Sequence, residues 1–294
     1  MVRDSGASAG ASASKSLLAG VIAGGVEGFI TYPAEYAKTV SQFQSKPGQK
    51  PPGPISILKE TVRSKGIKGI YSGCGALVAG NAAKAGVRFL TYDQIKALLV
   101  DDRGKLTPAR SMLAGLGAGV CEAIVAVTPS ETIKTKLIDD AKRAQPRYNG
   151  LAQGTIAICQ TEGISGIYRG LFPTIMKQGA NSAVRFMSYS TIKQYLQDRA
   201  DITGSLSSAQ TFGAGAAAGV ITVYATMPLD NIKTRMQSLN AATEYHNSFH
   251  CALRVAREEG TLSFWRGATP RLARLSMSGG IVFFVYEHIM SMMA

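Results

Sequence analysis

The sequence predicts an all-α membrane protein of six transmembrane helices, arranged as three tandem pseudo-symmetric repeats with short helices in the links. Three observations carry this. Long stretches are nearly free of charge, two linked motifs recur three times, and the basic residues cluster in three of the links. Hydrophobic residues make up 46% of the 294, and charged residues only 17%, against about 25% in a typical soluble domain. Ser16 to Ala34 holds one charge, Glu27, and Ser111 to Ser130 holds one, Glu122. Ile202 to Leu229 and Leu275 to Tyr286 hold none. Most of these stretches reach or approach the roughly 20 apolar residues that cross a bilayer. Gly20-Gly24-Gly28, Gly115-Gly119 and Gly215-Gly219 put small residues on one helix face, where backbones approach closely.

Composition also excludes several classes. With 32 Lys and Arg against 19 Asp and Glu, the net charge is +13 and the isoelectric point about 9.7. Such a chain is neither acidic nor compositionally disordered. Cys74, Cys121, Cys159 and Cys251 are scattered singly, so neither a disulfide framework nor a CxxC zinc or redox site is expected. No GxGxxG or GxxxxGK[ST] loop occurs, and no cofactor motif is found. Three late histidines offer no catalytic triad. His246, His250 and Cys251 read as surface residues leading into an amphipathic helix, so no metal site is expected. No covalent chemistry is expected either.

The repeat is the strongest signal. Pro33-Ala34-Glu35-Tyr36-Ala37-Lys38, Pro129-Ser130-Glu131-Thr132-Ile133-Lys134 and Pro228-Leu229-Asp230-Asn231-Ile232-Lys233 recur at offsets of 96 and 99. An aromatic-x-Gly element follows each: Tyr71-Ser72-Gly73, Tyr168-Arg169-Gly170 and Trp265-Arg266-Gly267. The units read as a tail over 1–14, taken as flexible, and repeats over 15–100, 107–200 and 205–294. Each repeat begins with an apolar helix that meets Pro33, Pro129 or Pro228, where the lost backbone donor kinks it. A basic link with a short amphipathic helix follows, then a second apolar helix.

The links over 38–68, 134–169 and 233–266 hold 7, 6 and 5 basic residues, which puts all three on one side of the membrane. Six bases remain inside the even-numbered spans: Lys84, Arg88, Lys177, Arg185, Arg271 and Arg274. Those spans contain no Asp or Glu. A base near mid-bilayer costs about 2.5–3.5 kcal/mol even on insertion scales. Six without acidic partners on their own spans are expected to face a water-filled cavity, with an anionic substrate as counter-ion. Arg suits bidentate carboxylate recognition and Lys supplies a compact charge.

These motifs resemble the signature of the mitochondrial carrier family: Pro-x-acid-x-x-base-x-base, then acid-Gly, four residues, aromatic-base-Gly. The resemblance covers the chain beyond its tail. It departs in repeat one, where Val40, Lys65 and Ser72 replace a base, an acid and a base. Asn81-Ala82-Ala83-Lys84-Ala85-Gly86-Val87-Arg88-Phe89 and Pro270-Arg271-Leu272-Ala273-Arg274 are similar to the citrate (tricarboxylate) branch, fungal type. The resemblance implies a carrier fold with matrix helices and both termini toward the intermembrane space. It also implies principal substrate contacts at Gly80–Asn81–Lys84, Lys177-Gln178 and Arg274. A matrix gate of Glu35–Lys134, Glu131–Lys233 and Asp230–Lys38 is implied, braced by Gln42 and Gln237, with Ile138 at the third brace position. A weaker cytoplasmic gate is implied by Asp93, Lys96, Lys193 and Glu287, pairing Asp93 with Lys193 and Glu287 with Lys96.

The expected function is therefore alternating-access exchange of citrate for malate or another di- or tricarboxylate across the inner mitochondrial membrane. Citrate and related carboxylates, and membrane lipid with cardiolipin at the matrix side, are the expected partners. A dicarboxylate, oxoglutarate or succinate–fumarate exchanger would share the gates and differ in the cavity. A basic nucleic-acid binder would need its cations in a solvent stripe; here they punctuate apolar helices, so no nucleic acid is expected.

Overall fold

The computed structural model describes residues 4–43, 52–100, 108–143, 145–199 and 207–293. Repeat one holds α1 (Asp4–Phe43), α2 (Pro54–Ile70) and α3 (Cys74–Leu99). Repeat two holds α4 (Pro108–Glu122), a π turn (Ala123–Val127), α5 (Thr128–Ala141), α6 (Gly150–Ile167) and α7 (Leu171–Arg199). Repeat three holds α8 (Ser208–Met236), α9 (Ala241–Glu244), α10 (Ser248–Glu258), a 3₁₀ turn (Thr261–Trp265) and α11 (Ala268–Met293). Among the described residues there is no strand. The tail read as flexible belongs, from Asp4 onward, to α1. Ala7, Ala9, Ala11 and Ala13, strong helix formers interleaved with Ser and Gly, favour the helix there.

The six long elements close a ring. α1 packs along α3 and α11, α3 along α4 and α5, α7 along α8, and α8 meets α11. By length and apolar composition alone, only Ala114–Ala141 and Ala209–Met236 qualify as membrane spans among the described residues. The even-numbered spans fall short because they carry the cations that line the interior.

Local chemistry sets the helix ends. Ser207 and Gln210 form a reciprocal capping box at the start of α8, satisfying two orphan donors. Asn247 caps α10 by accepting from the His250 backbone N–H at 2.8 Å. That helix buries Cys251 and Val255 against Met236, and burial pushes the Cys251 thiol up to about 12. The short link helices α2, α6 and α10 all lie at one end of the ring, here termed the link end.

Gly73, Gly170 and Gly267 precede α3, α7 and α11 with φ of 80°, 90° and 85°, a region side chains rarely adopt. Each also lies against the next repeat. A Cβ at Gly73 would stand 3.0 Å from the Lys134 carbonyl oxygen, and one at Gly267 3.1 Å from that of Lys38. The aromatic-x-Gly glycines thus let each repeat close on the neighbour's basic residue.

A closed ion-pair layer beneath a cationic cavity

Three ion pairs shut the link end, between the residues that the family resemblance pairs. Lys134 Nζ donates to Glu35 Oε1 at 2.7 Å. Lys38 Nζ stands 2.6 Å from Asp230 Oδ2. Lys233 donates to Glu131 Oε2. Each joins the first helix of one repeat to that of the next, so the layer is a closed triangle. Gln42 Nε2 donates to Asp230 Oδ2 at 3.3 Å, and Gln237 is buried beside Gly170. Ile138 lies in the apolar cluster of Tyr32, Tyr36, Val40 and Ile57. Pro33 and Pro228 lie inside α1 and α8. Pro129 lies at the start of α5, directly after the π turn.

Below this layer each repeat ties its link to its first helix differently. In repeat three Glu259 is shared by Arg235 and Arg266, the latter at 2.8 Å. In repeat two Lys136 pairs with Glu162. Repeat one has Val40 in the apolar cluster instead, and Lys65 donates to the Ala141 and Arg143 carbonyls at the end of α5. The departures noted in repeat one therefore exchange an internal ion pair for apolar packing and a bond to its neighbour.

Above the layer is a cavity of about 450 Å³, within the range of small-molecule sites. Lys84, Lys177, Arg185, Arg271, Arg274 and Asn81 line it. Arg88 and Gln178 are not among its lining residues. Arg88 instead turns to Glu122, 3.4 Å away, and Gln178 Nε2 is buried without a hydrogen-bond partner.

The cations were expected to have an anionic substrate as counter-ion, their own spans holding no acid. Four of the five bases lining the cavity also have acidic partners on other spans. Lys84 lies 3.5 Å from Glu122, and Lys177 pairs with Asp230. Arg271 Nη1 lies 3.9 Å from Asp230, while its Nη2 donates to Thr226 Oγ1 at 3.0 Å and Asn181 Oδ1 at 3.3 Å. Arg274 Nη1 donates to Glu35 Oε2 at 2.9 Å. The acids lie on neighbouring odd-numbered spans, so inspecting the even spans alone missed them. Two acids of the ion-pair layer, Glu35 and Asp230, consequently hold a lysine of that layer and a cavity base together.

The third acid of the layer differs for a steric reason. Lys177 and Arg274 each lie seven residues after their repeat's glycine, and Gly80 holds that place in repeat one. A side chain there would run into Ser130, so α3 approaches α5 closely and Glu131 receives no cavity base from that position.

At the opposite end Asp93, Lys96, Lys193 and Glu287 are all exposed. Among the described residues no ion pair joins Asp93 to Lys193 or Glu287 to Lys96, so the structure does not bring these expected pairs together. The ring is latched at the link end and unlatched at the other. Exchanging charges across Glu131 and Lys233 tests the latch: Glu131→Lys alone is expected to impair transport, and adding Lys233→Glu to restore part of it. A double variant no better than either single one would contradict the pairing.

Three copies of a family model described as mitochondrial carrier protein match residues 10–103, 104–200 and 204–294. The chain belongs to the mitochondrial carrier family. It is thus a membrane transporter of the mitochondrial inner membrane and not an enzyme. It is 49% identical to an uncharacterised mitochondrial carrier of Schizosaccharomyces pombe, over 91% of this chain and 89% of the relative. It is 47% identical to the tricarboxylate transport protein of Saccharomyces cerevisiae, over 91% and 92%. It is also 47% identical to the mitochondrial citrate transporter A of Aspergillus niger, over 90% and 87%.

Proposed function

We propose that this carrier exchanges citrate for malate or another di- or tricarboxylate by alternating access. The observation that carries the reading is the set of five bases, Lys84, Lys177, Arg185, Arg271 and Arg274, around one cavity above a closed ion-pair layer. Relatives with tricarboxylate and citrate in their names support the same substrate class. Asn81 and Gln178 are proposed to assist, Asn81 from the cavity wall and Gln178 from the turn beside Lys177. Arg88 is proposed to act at the cavity's outer rim through Glu122.

The link end is taken as the matrix side, from its basic links, with both termini toward the intermembrane space. The layer of Glu35, Lys38, Glu131, Lys134, Asp230 and Lys233, braced by Gln42 and Gln237, is then the matrix gate, and Pro33, Pro129 and Pro228 mark its hinges. Asp93, Lys96, Lys193 and Glu287 form the cytoplasmic gate of the opposite state. Exposed Lys59 and Arg63 on α2 face the matrix leaflet, where anionic lipid such as cardiolipin is a proposed partner.

The coupling follows from shared groups. A substrate carboxylate that draws Lys177 from Asp230, or Arg274 from Glu35, removes a cation from a gate acid at the moment of binding. A ligand shifts an equilibrium only by its differential affinity for the two states, and these shared cations supply such a difference. Labelled citrate uptake into proteoliposomes, competed by a panel of carboxylates, tests the reading. Strong competition by citrate and isocitrate is expected; uptake competed only by malate, oxoglutarate or succinate would assign a dicarboxylate exchanger instead.

A further inference from the structure

Glu27 lies six residues before Pro33, and Thr222 lies six before Pro228. Glu122 lies seven before Pro129, but the intervening π turn, Ala123–Val127, accommodates an additional residue and restores the register. The three positions form a ring on the odd-numbered spans, two carboxylates and one hydroxyl. Each faces the neighbouring even helix. Glu122 meets Lys84 and Arg88 of α3, Glu27 meets Arg274 of α11, and Thr222 shares the cavity wall with Arg185 of α7. Glu122 is wholly buried, whereas Glu27 lines the cavity itself.

Arg274 is thereby held between two carboxylates of α1. Its Nη1 donates to Glu35 at 2.9 Å, and its Nη2 stands 3.6 Å from Glu27 Oε1. The two acids are not equivalent. Glu35 also holds Lys134 and so belongs to the gate. Glu27 has no second cation among the described residues. The Thr31 hydroxyl, one turn on in the same helix, donates to the Glu27 backbone carbonyl at 2.7 Å and lies 3.2 Å from Oε1, so it stays beside the carboxylate if Arg274 leaves. The Glu27–Arg274 contact is long for a charge-assisted bond, and it opens onto the cavity.

We propose that Glu27 is a resident counter-ion that competes with the substrate for Arg274. It neutralises the guanidinium while the cavity is empty, yields it to a substrate carboxylate, and recovers it as the substrate departs. This rests on the carboxylate-exchange reading and deepens it. Glu27 acts through Arg274 and is a positioning residue. Its charge weakens binding, because part of each substrate contact replaces an existing one, and it speeds release for the same reason. A purely structural carboxylate would have the opposite signature: removing it would loosen the site and weaken binding.

The test compares wild type, Glu27→Gln and Glu27→Asp as full chains. One readout is KM and Vmax for labelled citrate exchange in proteoliposomes. The other is the citrate concentration giving half-maximal thermal protection of the detergent-purified protein. Glu27→Gln is expected to lower both KM and the half-protection concentration about tenfold, in the range of one contact to a charged group. Its Vmax is expected to fall, since tighter ground-state binding does not help turnover. Glu27→Asp keeps the charge but lengthens the contact, so both values should fall by a smaller factor; it carries the comparison if the Gln variant does not assemble. Unchanged or raised values in both variants would overturn the proposal. If wild type answers to another carboxylate of the panel, the comparison is made with that anion. If it answers to none, the exchange reading falls and this inference with it.

Discussion

Replacing Asp230 with Asn is expected to abolish exchange. Asp230 is almost wholly buried and faces Lys38 at 2.6 Å, Lys177, and Arg271 at 3.9 Å, with Gln42 donating to it at 3.3 Å. Asn keeps the shape and one acceptor but removes the charge that Lys38, Lys177 and Arg271 share. Breaking a buried pair from one side costs about 3–5 kcal/mol, because the partner charges are left uncompensated. Here the cost falls on the latched state, so the ring loses its closed link end. The check is exchange in proteoliposomes with thermal stability measured on the same preparation: both should drop, and Lys38→Gln in the Asn background should recover stability in part. A variant that exchanges at the wild-type rate would remove Asp230 from the gate.

Arg274→Gln should lower citrate exchange more than malate exchange. Arg274 is the base best placed to reach a third carboxylate, since it lines the cavity from α11, separated by α1 from Lys84 on α3, and stands next to Glu35. Losing one charge-assisted contact costs about 1.5–3 kcal/mol, roughly ten- to a hundredfold in affinity. A dicarboxylate that never used the contact loses less. Because Arg274 also neutralises Glu35, both rates should fall; the ratio of citrate to malate uptake in the same vesicles separates recognition from gating. An unchanged ratio would place Arg274 in the gate alone.

Much of this architecture was legible in the chain. The threefold Pro-x-acid-x-x-base motif showed that acids and bases of neighbouring repeats could meet, and the family resemblance supplied which neighbour: Glu35–Lys134, Glu131–Lys233 and Asp230–Lys38. Charge-poor stretches marked the first, third, fifth and sixth spans, while counting apolar residues alone recovers only two among the described residues; the cations of the even helices depress their hydropathy while facing inward. What the sequence concealed were contacts that depend on rotation and depth between helices. Glu27 and Glu122 were visible as membrane acids, but their partners depended on the π turn before Pro129 and on which even helix packs beside each. Lys65 read as a lost acid, and its bond to the end of α5 needed the fold. Asp93, Lys96, Lys193 and Glu287 were read as gate partners, yet all four are exposed here and the expected pairs stay apart.

The most direct measurement is the dependence of citrate uptake on what lies inside the vesicle. Around the cavity, cations and acids of the ion-pair layer neutralise one another: Lys177 holds Asp230, and Arg274 holds Glu35. The carrier should therefore not switch between states until an anion replaces those contacts. Labelled citrate should enter proteoliposomes loaded with citrate or malate and fail to enter vesicles loaded with chloride alone. Equal initial rates into both would contradict a cycle in which the substrate itself releases the gate.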